Sequence, residues 1–270
     1  MKTNTAKAFH RPASADVMRP VQADGHWFAG GTWLLTEPLP EIPHINRCNS
    51  PAVTASSEGL EIGTACSIHE LEEFIAPHDW IAAPLLKDCS RSLLASAGDW
   101  HKVGGGGPDF AALPLGALIS LAAALDGVCT IWPPHGSPRE VSVVEFIAGN
   151  FGDSLGPGEI LHSVWIPSSA LKKHHTLRRF SLTASGRSSV LLVGTLCPVT
   201  GVVSLTLTSA MASPVRLIFP DFPSAMAVHL AINERVAFDH HCEDPHGTPL
   251  HRRHLTYHYA EKILHELSMI

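Results

Sequence analysis

Four consecutive glycines, Gly104, Gly105, Gly106 and Gly107, run directly into Pro108. No helix or strand survives such a run. Glycine loses more conformational freedom on ordering than any other residue, and proline fixes φ and has no N–H to donate. The chain must pass through a loop there, and regular structure is assembled from the segments on either side. The run fits neither G-x-G-x-x-G between a strand and a helix nor G-x-x-x-x-G-K-[ST], so Rossmann and P-loop readings are poor. A second glycine site lies earlier, where Ala29, Gly30, Gly31 and Thr32 follow the apolar run His26, Trp27, Phe28. Two adjacent glycines let successive backbone N–H groups converge into a nest for an oxyanion such as a pyrophosphate, and Thr32 adds a hydroxyl donor. Each site also has a plain structural reading: a tight turn at Gly30 and Gly31, a flexible loop at residues 104–107.

Around these loops the pattern predicts mixed structure. Residues 26–28 and 58–62 read as strands. Ser67 with Glu70 forms a capping-box signature that starts a helix. Leu85, Leu86, Cys89, Leu93 and Leu94 recur at helical spacing and predict a helix over residues 83–97. Pro114 suits a first turn, after which Leu115, Leu118, Ile119, Ala122 and Leu125 line one helical face. A strand over residues 128–132 pairs back with residues 140–144 as a hairpin. Gly156, Pro157 and Gly158 form a turn. In the next strand Ile160, His162, Val164 and Ile166 fall on one side and Leu161, Ser163 and Trp165 on the other, until Pro167 closes it.

Beyond Pro167 the texture changes. Residues 178–183, 189–196 and 202–209 read as three consecutive strands, and helices follow near residues 223–231 and 249–267. Strands followed by helices predict an α+β module with its sheet covered on one face. The chain has 270 residues, room for one large or two small domains at roughly 100–200 residues each. The division falls near Pro167, giving domains 1–167 and 168–270.

Composition removes several classes of function. Net charge is −6, without the basic face of a nucleic-acid binder. No apolar run reaches the roughly 20 residues that span a bilayer, and residues 1–15 lack the apolar stretch of a secretory signal. Cys48, Cys66, Cys89, Cys129, Cys197 and Cys242 are scattered. They show no short metal-ligand spacing, and most read as small buried hydrophobes in a reducing cytoplasm. The 18 histidines include His254 and His258 at i,i+4, but the intervening Leu255, Thr256 and Tyr257 supply no H-E-x-x-H glutamate. Solvated histidines on a helix face are favoured over a metal site. Arg252 and Arg253 with neighbouring histidines suggest a positive docking patch. Ser185, Gly186, Arg187 and Ser188 read as a hairpin turn. No catalytic residue and no metal ligand is assigned.

Several stretches together resemble the FAD-binding medium subunit of the molybdenum hydroxylases, the family of the flavin subunits of xanthine, carbon monoxide and nicotinate dehydrogenases. Phe28, Ala29, Gly30, Gly31, Thr32, Trp33 and Leu34 resemble its first flavin loop. Leu60, Glu61, Ile62 and Gly63, continued through residues 64–71, resemble its IGA-x-x-T-x-x-E-L stretch. Leu94, Ala95 and Ser96 with the glycine run resemble the approach to its second loop, T-[LIV]-G-G-N. Glu145 and Phe146, then residues 155–161, resemble DF…L-x-x-G-E-[IL]-[LI], and Ile166 with Pro167 its closing IP. Arg178, Arg179 and Phe180 resemble F-R-K, and Pro214 with Arg216 the P-x-R beyond the sheet. Order and spacing match from about Trp27 to the C-terminus.

The resemblance implies an α+β, PCMH-like fold of two small α/β halves, each carrying one glycine loop, followed by a small C-terminal domain of three strands with helices. It implies FAD bound through Phe28, Ala29, Gly30, Gly31, Thr32, Trp33, Gly104, Gly105, Gly106, Gly107 and Pro108. Leu161 stands at an apolar flavin-contact position, and Arg179 where a cation stabilises the reduced ring. Core packing is the other reading of Trp33 and Leu161, and a surface cation the other reading of Arg179. Partners implied are a small subunit with two [2Fe–2S] clusters and a large molybdopterin subunit. Electrons reach FAD from the clusters and leave to an acceptor such as NAD or oxygen. The sequence departs from the family at the second loop, where Pro108 replaces the usual Asn and Gly104 and Gly105 replace Thr and an aliphatic residue. That departure keeps an alternative open: a structural or regulatory paralogue with weakened or lost FAD binding. An independent metal-binding protein using the C-terminal histidines is a third reading.

Overall fold

The computed structural model describes residues 52–63, 66–92, 117–133, 135–148, 155–156, 159–183, 188–210, 214–237, 240–241 and 243–270, and the backbone alone of 8–10 and 41–43. Strands β1 (Ala8–His10) and β2 (Glu41–Pro43) form a parallel pair. The predicted strand at 26–28 lies outside the described residues. Next come β3 (Val53–Ala55) and β4 (Gly59–Gly63). Helix α1 (Ile68–Glu73) starts at the predicted capping box. Glu70 N–H donates to Ser67 Oγ at 3.3 Å, and Ser67 N–H donates to Glu70 Oε2 at 2.9 Å. Two of the helix's orphan donors are satisfied in this way. Helix α2 (Pro84–Arg91) carries the predicted Leu85, Leu86 and Cys89 as buried positions. Its predicted continuation from residue 93 lies outside the described residues.

Helix α3 (Ala117–Ala124) departs from the one-faced reading, since all eight of its residues are buried. Strands β5 (Val128–Trp132) and β6 (Arg139–Ser142) make the predicted hairpin. The second strand is shorter than expected, because Val143 and Val144 open helix α4 (Val143–Ala148). A second capping box ends the strand: Glu145 N–H donates to Ser142 Oγ at 3.2 Å and Ser142 N–H to Glu145 Oε2 at 3.4 Å. Strand β7 (Ile160–Pro167) follows a turn closed by Glu159 N–H to Gly156 O at 3.0 Å. These strands form an antiparallel sheet in the order β3-β4-β7-β5-β6.

The simple alternation read along β7 fails at one point. Thr130 pairs with Ser163 but Ile131 with Leu161, so His162 is an extra residue in β7. A bulge of this kind reverses which side the residues beyond it face. Leu161 therefore shares the core with Val164 and Ile166 instead of lying opposite them.

A short helix, α5 (Ser168–Leu171), leads to the second sheet: β8 (His174–Ser181), β9 (Ser188–Leu196), β10 (Val203–Thr208) and β11 (Val215–Phe219). The order is β11-β10-β9-β8, all antiparallel. The sheet has four strands, not the three predicted. Val215, Arg216, Leu217, Ile218 and Phe219 were too short a run, between Pro214 and Pro220, to stand out. Helices α6 (Ala225–Arg235) and α7 (Pro249–Leu267) complete the chain. The α+β class is as predicted.

The expectation of a sheet covered on one face is also overturned. Successive residues of β9 point to opposite sides. Val190 and Leu192 pack with Ile263 and Leu264 of α7, while Leu191 and Val193 join the core of the first sheet and α3. A central strand buried on both sides reads as a continuous apolar run. Helix α3 is buried all round because it lies between the two sheets, with Ser120 Oγ hydrogen-bonded to Thr208 Oγ1 of β10.

Candidate functional site

Of the residues singled out, Phe28, Ala29, Gly30, Gly31, Thr32, Trp33, Gly104, Gly105, Gly106, Gly107 and Pro108 lie outside the described residues. Leu161 and Arg179 are described, and both belong to the region where the two sheets face each other across α3.

Leu161 is 4% exposed and packs in the first core, opposite Ile131. That arrangement is the core packing named as its other reading. The bulge residue beside it, His162, is a feature the sequence reading missed. Its ring lies parallel to that of Trp132, with centroids 4.0 Å apart and 3° between planes, and its Nδ1 is 3.2 Å from Ser163 Oγ. Burial pushes the imidazole pKa below its ordinary value, against an upward pull from Glu61. The clean alternation of Ile160, His162, Val164 and Ile166 concealed the bulge.

Arg179 pairs across the sheet with Leu191, and directly opposed residues share a face. Leu191, Val193 and Leu177 all pack into the first core, so the Arg179 side chain is on the face turned toward the first half of the chain. It is half-buried, and its Nε donates to Ser188 Oγ at 2.7 Å. Burial lowers its pKa, but guanidinium stays charged at neutral pH.

The same face carries a second charged group. Asp126 follows the last turn of α3, with φ of 55°. Gly127 N–H donates to Ala122 O at 2.7 Å, so Asp126 occupies the left-handed position of a helix-ending motif where glycine is usual. Its Oδ1 is 2.5 Å from Arg216 Nη2 of β11 and its Oδ2 2.5 Å from Lys173 Nζ, just before β8. The cations are 13% and 15% exposed. Burial alone would raise the Asp126 carboxyl, but the Lys173 hydrogen bond and the Arg216 and Lys173 charges hold it below its ordinary value. Arg216 is the arginine of the P-x-R stretch, and this ion pair is what it does in the fold.

The proposed positive patch near α7 is corrected. Arg252 is 1% exposed. It donates to Ser189 O at 2.6 Å, to Gly247 O at 3.3 Å, and to Ser209 O and Asp244 Oδ1. It ties α7 to the ends of β9 and β10 and presents no charge to a partner. Arg253 is partly buried and donates to Asn233 Oδ1 at 2.9 Å. His254 and His258 are exposed with near-parallel rings. Among the described residues no three His, Cys, Asp or Glu side chains gather as a metal site. Cys66, Cys89 and Cys129 are buried thiols, and burial pushes Cys129 up to about 12. They act as the small apolar side chains expected of them. Among the described residues no helix is long and apolar enough to cross a membrane.

No protein-family model matches the chain, and neither does any curated protein sequence. Its structure is similar to a chain of quinoline 2-oxidoreductase from Pseudomonas putida 86, with 19% identity, a TM-score of 0.80 and 98% of each chain covered. It is similar to a chain of carbon monoxide dehydrogenase from Hydrogenophaga pseudoflava lacking the Mo-pyranopterin moiety of the molybdenum cofactor, at 17% identity, TM-score 0.80 and 98% of each chain. A chain of reconstituted CO dehydrogenase from Oligotropha carboxidovorans gives 17% identity and TM-score 0.79, again over 98% of each chain. The fold is that of the matched chains, over almost the whole length of each.

Proposed function

We propose that this chain is the FAD-binding subunit of a multi-subunit molybdenum hydroxylase or dehydrogenase. The observation that carries the proposal is the end-to-end likeness to chains of two kinds of molybdenum-family oxidoreductase, together with the ordered motifs that resemble the family's flavin subunit. Domains 1–167 and 168–270 then correspond to the FAD-binding part and the C-terminal part, working in the cytoplasm beside a [2Fe–2S] subunit and a molybdopterin subunit.

FAD, when bound, supplies electron transfer between the clusters and an external acceptor. The chain supplies binding, orientation and electrostatics. The backbone N–H groups of Gly30, Gly31 and Gly106, with the Thr32 hydroxyl, would hold the pyrophosphate. Arg179 suits a redox flavin, because it brings a permanent positive charge, half-buried, to the face between the two sheets. Its charge there favours negative charge on a neighbouring group, and the low-dielectric surroundings strengthen that effect. No acid/base pair is required of this chain, since the organic substrate reacts on another subunit.

Pro108 favours the second reading, a paralogue with weakened or lost FAD binding. Proline offers no N–H where the family has an Asn. Purification of the intact chain without added flavin separates the two. The visible flavin spectrum in stoichiometric amount supports the first reading. A colourless protein that takes up no FAD on reconstitution supports the second.

A further inference from the structure

Asp126 gathers three parts of the chain at one carboxylate. It ends α3, which lies between the sheets. Lys173 stands on the short segment between α5 and β8 by which the chain passes from the first sheet to the second. Arg216 belongs to β11. Since β8 and β11 are the two edges of the four-stranded sheet, the cations reach Asp126 from opposite edges. Ser120 adds a second tie from α3 to β10 at Thr208. Turning the second sheet relative to α3 would separate both mostly buried cations from their shared counter-charge. Asp126 holds a backbone conformation that favours glycine, yet glycine would have no carboxylate to offer. The geometry therefore gives the side chain a task beyond ending a helix.

We propose that Asp126, with Arg216 and Lys173, is the joint that fixes the second sheet on the first half of the chain and so sets where Arg179 stands toward the cofactor. Arg179 lies on the same sheet face, six positions after Lys173. Asp126 is thus a positioning residue that acts through Arg179. The inference rests on the reading of the chain as an FAD-binding subunit and goes beyond it by assigning the residues that align its two parts.

The test uses the full chain as wild type, Asp126→Asn and Asp126→Glu. Flavin-fluorescence titration reads FAD affinity, and spectroelectrochemistry reads the midpoint potential of the bound flavin. Asp126→Asn is expected to weaken FAD binding roughly tenfold, within the usual range for coupling between sites, and to lower the potential as the Arg179 charge moves away. Asp126→Glu, which keeps the charge, is expected to recover most of both. If Asp126→Asn does not fold, Arg216→Lys, which retains a cation without the fork, is expected to show the same two changes at smaller size. Wild-type affinity and potential in a folded variant, with only thermal stability reduced, overturn the joint as a positioning device. A wild-type chain that takes up no FAD overturns the cofactor reading itself, and this inference with it.

Discussion

The imidazole of His162 lies flat on the indole of Trp132, with centroids 4.0 Å apart and planes 3° from parallel. The two meet because one extra residue in β7 shifts the pairing between Thr130 and Ile131. Burial pushes the imidazole pKa below its ordinary value, against an upward pull from Glu61. In an NMR titration the His162 ring resonances are expected to titrate below the free-histidine range of about 6.5. The folded pKa is below the unfolded one, so the unfolded chain binds the proton first. Stability is then lost as pH falls from the unfolded value through the folded value. An ordinary titration would show the ring to be open to water.

Gly194 sits where β9 meets α7. A Cβ there would lie 2.2 Å from Ile263 Cγ2 and 3.2 Å from Leu267 Cδ1. Both atoms belong to side chains packed in the second core, so relief requires α7 to move. Gly194→Ala is expected to destabilise by about 1–3 kcal/mol through overpacking, read as a lower midpoint in urea with unchanged slope. A gain in stability would show slack between α7 and the sheet.

Arg252 satisfies backbone carbonyls of two strand ends and pairs with Asp244 while almost wholly buried. Arg252→Ala removes the donor and leaves a carboxylate and several carbonyls without it. The expected loss is about 3–5 kcal/mol, measured by chemical denaturation. A change below about 1 kcal/mol, the level of an exposed pair, would place the side chain in solvent.

Asp126 gives the chain an acid limit. Its carboxyl pKa is held down in the folded state by Lys173 and Arg216, despite burial. A depressed carboxylate contributes its full stabilisation above the unfolded pKa and loses it as pH falls through the folded value. Asp126→Asn is expected to cost about 2 kcal/mol near pH 7, discounted from a fully buried pair because the carboxylate is 37% exposed. The gap from wild type should narrow toward pH 3. A difference independent of pH would show that the charge is not what matters.

Local signals were legible where they were self-contained. The Ser67 and Glu70 capping box, the β5–β6 hairpin and the long C-terminal helix needed only neighbouring residues. The same chemistry at Ser142 and Glu145 went unread because two valines between them looked like strand. The bulge at His162 depends on pairing with β5, and no pattern within β7 announces it. The burial of α3 on every side depends on a second sheet formed some 70 residues later. In α3 itself the signal was only an alanine-rich helix without a polar face. For the site, Arg179 was legible as a motif residue, and its orientation toward the first half came only with the register of β8 on β9. The partnership of Asp126 with Lys173 and Arg216 spans three segments and was invisible for that reason.

The central claim is that this chain binds FAD, and the direct measurement is calorimetric titration of the flavin-free full-length chain with FAD. The account predicts saturable binding of one FAD per chain, weakened by Gly31→Val, which adds a branched side chain in the proposed nest. No detectable heat and no flavin retained after gel filtration would contradict it.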